Sequence, residues 1–240
     1  MKKILLLLSV LLAAASVICC AQNGTTPYLQ AEELPDAIQF LPPPPEDGSA
    51  AFALDEAMYR WGKTQREGER GRQAYREGVT NADSMAVQFS KAFGREISEK
   101  ATPRTMHLLR RSIVTFRRSV SAPKAHYMRL RPYVFYHEGT LIPEDEEYER
   151  TQGSYPSGHT IRGWGMALVL STLCPERQNE IMAAGYEWGQ SRVIAGYHWQ
   201  SDVDASRLLA SACFARLLSC EEFRKDLAAA REELATLQGK

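Results

Sequence analysis

The chain has 240 residues, with 29 Lys and Arg balanced by 29 Asp and Glu. Zero net charge argues against a general nucleic-acid binder, which needs a basic surface to neutralise phosphates. The length suits one domain with a substantial core behind a short leader.

Lys2 and Lys3 precede an apolar run, Ile4 to Leu12, and then small residues. This pattern predicts a signal peptide over residues 1–21, cut after Ala21. The run is too short for a membrane span, which takes about 20 apolar residues. Lipid attachment at Cys19 or Cys20 is the alternative. Residues 22–240 are therefore expected to be exported as one domain. Removing Lys2 and Lys3 leaves 27 basic against 29 acidic residues, a net charge near −2.

Residues 22–48 read as an extended arm, with Leu41-Pro-Pro-Pro-Pro45 as a polyproline strut. Ser49 is placed to cap a helix carrying Phe52, Leu54, Met58 and Trp61. Arg66 to Gly78 is polar and glycine-punctuated, with no helical reading. A helix from Asp83 to Phe93 is stopped by Gly94. Thr102-Pro103 opens another, running to about Val120. Pro123 starts a short segment that ends at Arg131-Pro132, and Tyr133 to Tyr155 reads as an acidic loop without a period. Three helices follow, Thr160 to Leu173, Glu176 to about Ala195 and Trp199 to Leu218. A last helix carries Phe223, Leu227, Ala230, Leu234 and Leu237 as a docking or dimer stripe. No strand alternation appears. The expected architecture is an all-α compact helical bundle.

Ala101 to His137 holds eight Lys and Arg and no Asp or Glu. Its Arg110, Arg111, Arg117 and Arg118 read as a solvated face or as partners of the acidic loop. Of the cysteines beyond the leader, Cys213 and Cys220 lie seven apart on one helix, about 10 Å along its axis, too far to bridge. Pairing of Cys174 with either stays open.

Three clusters carry chemistry. Lys124 precedes Arg131-Pro132 by seven positions. Pro156-Ser157-Gly158-His159 directly precedes a helix, so the amides of Ser157, Gly158 and His159 are expected as free donors to an anion. Ser191-Arg192 is followed by His198 and Asp202, whose spacing stacks them on one helix face. There Asp202 can hold the Nδ1 proton of His198 and leave Nε2 free. Lys124, Arg131 and Arg192 add fixed positive charge, and arginines grip phosphate oxygens bidentately. The shared affinity is for a tetrahedral oxyanion. Phosphoryl transfer needs a nucleophile in line and an acid for the leaving oxygen, and two histidines are present.

The pattern K-x6-RP, PSGH, SR-x5-H-x3-D resembles the type 2 phosphatidic acid phosphatase and vanadium haloperoxidase superfamily. The leader, the LPPPP arm and the GSYPSGHT wording resemble the class A bacterial non-specific acid phosphatases. The resemblance implies an all-α, metal-independent acid phosphatase of the periplasm or exterior, needing no cofactor, inhibited by vanadate and forming a homo-oligomer. It implies His198 as nucleophile, forming a phosphohistidine and oriented by Asp202, with His159 as general acid. Lys124, Arg131, Ser157, Gly158 and Arg192 would bind the phosphoryl oxygens of small phosphomonoesters. Ala195 departs from the pattern, since several relatives have a cysteine there, which puts their disulfide arrangement in doubt. Tyr133, Tyr155 and Trp199 flank the motifs as candidates for lining the leaving-group pocket. Asp204 is expected to point elsewhere. A vanadate-dependent haloperoxidase and a non-catalytic phosphate binder are the alternatives.

Overall fold

In a computed structural model, residues 25–238 are described. The leader, its cleavage site, Cys19 and Cys20 lie outside them. Twelve α-helices are found among the described residues, and no strand. They are α1 (Ala37–Phe40), α2 (Ala50–Thr64), α3 (Gly68–Arg76), α4 (Ala82–Phe93), α5 (Pro103–Arg118), α6 (Ser121–Tyr127) and α7 (Pro132–Phe135). After these come α8 (Glu146–Arg150), α9 (Gly158–Leu173), α10 (Gln178–Ala195), α11 (Gln200–Leu218) and α12 (Glu221–Gln238).

Helix α9 is central and packs against α5, α10 and α11. Outside the face that carries His159 and Arg162 it is largely apolar, with Ile161, Met166, Val169 and Leu170 all buried, as a helix enclosed by others must be. Gly163 and Gly165 let the neighbours close in. A Cβ at Gly163 would lie 2.4 Å from the Trp188 ring, and one at Gly165 would lie 2.5 Å from Phe116.

The arm is less extended than its composition predicts. It holds a 3-10 turn (Ala31–Glu33) and α1, and it seats Tyr28, Leu29, Leu34, Ala37 and Leu41 in the main core. The polyproline stretch itself stays non-helical, as predicted.

Ser49 caps α2 by accepting from the Phe52 amide, and Gly94 ends α4 in the left-handed region. Thr102, by contrast, makes no side-chain cap for α5. Glu233 of α12 accepts from the amides of Arg104 and Thr105 instead. The stripe of α12 docks on α5, burying Phe223, Leu227, Ala230 and Leu234.

Two segments expected to be irregular are helical. Arg66–Gly78 contains α3, because Gly71 packs directly on the Arg66 backbone while its Glu, Arg, Gln and Ala residues favour helix. The acidic segment contains α7, a 3-10 turn and α8, each too short to show a period. Arg110 and Arg111 do not pair with that segment. Arg110 is held by Asp83 and Glu99, and Arg111 by Glu222 and Asp226. Cys174, Cys213 and Cys220 are free thiols, and no bridge joins any two of them. No helix among the described residues is long and apolar enough to cross a membrane.

Candidate active site

The end of α10 shapes the site. Gly196 takes φ +90°, which residues with a Cβ rarely adopt, and turns the chain back on itself. The amides of Tyr197 and His198 then return to the Arg192 carbonyl, at 3.0 and 3.4 Å. His198 is thereby brought beside Arg192, before α11 begins.

The His198–Asp202 relationship is therefore not a stacked pair on a helix face. His198 precedes α11, and Asp202 lies in its first turn. Oδ2 of Asp202 accepts the Trp199 amide at 2.9 Å and lies 3.3 Å from His198 Nδ1. The same carboxylate accepts from Arg129 and from the Ser154 hydroxyl. Asp55 anchors this network through Arg129 and Ser201.

His159 occupies the first turn of α9, and Nε2 lies 2.8 Å from the Gly78 carbonyl. The two histidines thus have different supports. A carboxylate backs His198, whereas a neutral carbonyl backs His159. Burial holds both imidazoles well below the usual histidine range, assisted at His198 by Arg131, Lys124 and Arg192, and at His159 by Arg192 and Arg162.

A cavity of about 1000 Å³ is lined by Lys124, Arg131, Gly158, His159 and His198. Asp202, Ser157 and Arg192 are fully buried. Lys124 is pushed down to about 7, first by burial and then by Arg131. Its ammonium donates to the carbonyls of Gly153 and Ser154. Arg131 donates to Glu149, Gln152, the Tyr197 carbonyl and His198 Nε2. Among the described residues Arg192 has no hydrogen-bond partner at any guanidinium nitrogen, and it stacks over Tyr197 at 4.6 Å. A buried cation without an ion pair is costly, by several kcal/mol as a rough scale, and Glu149 and Asp145 offset only part of that cost through space.

Ser157 differs from expectation. Its amide donates to the Asp202 carbonyl, and its hydroxyl caps α9 through the Thr160 amide. The amides of Gly158 and His159 make no hydrogen bond among the described residues and remain the donors at this helix start. Tyr133, Tyr155 and Trp199 do not line the cavity. Each is fully buried in an aromatic or core cluster, since a ring next to a motif in sequence turns inward here. Asp204 pairs with Arg207, away from the site, as expected.

Residues 108–226 match the profile of the PAP2 superfamily. A relative from Providencia stuartii named non-specific acid phosphatase is 47% identical over 88% of this chain and 86% of its own. The chain belongs to the PAP2 superfamily. A non-specific acid phosphatase of Salmonella typhimurium is 42% identical over 87% of this chain and 84% of its own. An acid phosphatase of Zymomonas mobilis is 32% identical over 83% and 75%. Within this superfamily chain, sequence reasoning missed five contributors to the site: Gly78, Arg129, Glu149, Ser154 and Arg162. Arg162 alone had a signal, since it stands three residues past His159 on the same helix face.

Proposed function

We propose that this acid phosphatase hydrolyses small phosphomonoesters through a phosphohistidine on His198. The family and the relatives of that name give the activity. The mechanism is supported above all by Arg192, a buried guanidinium with no partner whose charge reaches both histidines.

Nε2 of His198 attacks phosphorus while the ester P–O bond breaks, and His159, protonated in the enzyme–substrate complex, gives a proton to the departing oxygen and becomes neutral. Asp202 stabilises the positive charge that grows on the His198 ring, which marks it as the nucleophile. The Gly78 carbonyl supports His159 more weakly, which leaves that ring free to give up a proton. His159 next deprotonates a water that attacks phosphorus, the P–N bond breaks, and inorganic phosphate leaves. Lys124, Arg131, Arg192 and the amides of Gly158 and His159 balance charge on the equatorial oxygens. Three buried or half-buried cations can supply the stabilisation that a divalent ion gives elsewhere, so the reaction is proposed to need no metal or cofactor. Vanadate should occupy the same cradle. Export, with a leader over residues 1–21, and assembly into a homo-oligomer complete the proposal.

The test is His198→Ala with p-nitrophenyl phosphate, after exhaustive chelation of the parent enzyme. Loss of turnover in the variant and full activity in the chelated parent are expected. Substantial residual turnover, or a requirement for added zinc or magnesium, would refute the mechanism.

A further inference from the structure

The cavity continues past the phosphoryl cradle, from His159 and His198 to Arg162, Arg117 and Asn81. Arg162 lies one turn along α9 from His159. Its Nη1 is buried and has no hydrogen-bond partner among the described residues. Arg117, near the end of α5, is exposed to the same cavity. It has no carboxylate partner among the described residues, unlike Arg110 and Arg111 of the same helix. The two guanidinium groups are close enough to repel each other, and after burial Arg117 is the main influence lowering the Arg162 pKa, to about 10.

The cavity offers them no counter-ion of its own. Its two carboxylates are Glu149 and Asp83, and each is already engaged. Glu149 is paired with Arg131 and Asp83 with Arg110. Glu149 offsets part of the charge on Arg162 through space but forms no ion pair with it, and two like charges facing one cavity without an ion pair of their own are relieved by a shared external anion. Two guanidinium groups match a phosphate dianion in charge and in bidentate geometry better than they match a carboxylate.

We propose that Arg162 and Arg117 form a second anion subsite, which takes a phosphate group carried by the leaving alcohol. The enzyme then prefers phosphomonoesters that bear a second phosphate, and the cavity volume suits a ligand of sugar-bisphosphate size. This rests on the catalytic reading, because the reacting phosphate must sit at His198.

The experiment compares kcat/KM for fructose 1,6-bisphosphate and fructose 6-phosphate on the full chain. A preference of about tenfold is expected, carried by KM and exceeding the twofold owed to two reactive groups. Arg162→Met should bring the ratio to about twofold, and Arg117→Gln should lower it as well, so the proposal does not depend on one variant folding. No preference in the parent, or one that survives both substitutions, overturns the subsite. A larger gain from 3-phosphoglycerate over glycerol 3-phosphate overturns the assignment to phosphate. p-Nitrophenyl phosphate carries no second anion and separates the two readings. Its turnover without a bisphosphate preference removes the subsite alone, whereas no turnover at all removes the catalytic reading and the subsite with it.

Discussion

Nη1 of Arg131 lies 3.1 Å from Nε2 of His198. An arginine can only donate, so Nε2 bears the lone pair and Nδ1 carries the proton towards Asp202. One contact fixes the tautomer that nucleophilic attack requires. Arg131→Lys keeps the charge but loses the fork that spans His198, the Tyr197 carbonyl and Glu149. We expect kcat for p-nitrophenyl phosphate to fall by about 10²-fold or more, comparable to loss of one donor at a preorganised site. A loss below tenfold would contradict this.

Proton donation by His159 matters in proportion to how poor the leaving group is. His159→Ala should therefore slow an alkyl phosphate such as glycerol 3-phosphate far more than p-nitrophenyl phosphate, by about 10²-fold in the ratio of their kcat values. Equal losses on the two substrates would remove His159 from the acid role.

Lys124 is held near 7 by burial and Arg131, so it is charged below that pH and neutral above it. An anion binds the charged form. Sulfate keeps a constant charge across this range and isolates the lysine. Its inhibition constant should be flat below about pH 7 and weaken above it, by up to about tenfold per pH unit. Lys124→Arg should flatten the profile up to at least pH 9. An unchanged profile in that variant would place the titration elsewhere.

Asp55 accepts from the Ser201 amide, the Ser201 hydroxyl and Arg129 while almost wholly buried. Asp55→Ala removes one of the two carboxylates that hold Arg129 and leaves Asp202 as the other. The expected loss of stability is about 1.5–3 kcal/mol, the scale of a hydrogen bond to a charged group, read by denaturant unfolding. A loss under about 1 kcal/mol would show that Asp202 alone holds Arg129.

Helices with caps or long apolar stripes could be read from the sequence. Ser49, Gly94 and the Phe223–Leu234 spacing each act locally, and each is found as expected. Helix α3 was hidden by its glycines, of which Gly71 packs closely on Arg66 only in the folded chain. The residues of the candidate site were legible by type, but their arrangement was not. The His198–Asp202 contact looks helical by spacing and is made instead by the turn at Gly196 and the start of α11. Gly78 has no side chain to advertise its role, since it acts through a carbonyl. Likewise, nothing near Ser154 or Arg129 in sequence announces that they hold Asp202.

Glu233 ties the far end of the chain to the start of α5. The same helix carries Arg117 at its other end, on the cavity wall. Trimming the chain before Glu233 would strip two amides of their acceptor and loosen α5 along its axis. Damage some two hundred residues from the leader would then be felt at the cavity mouth, as weaker grip on the leaving group before any loss of the histidines' chemistry.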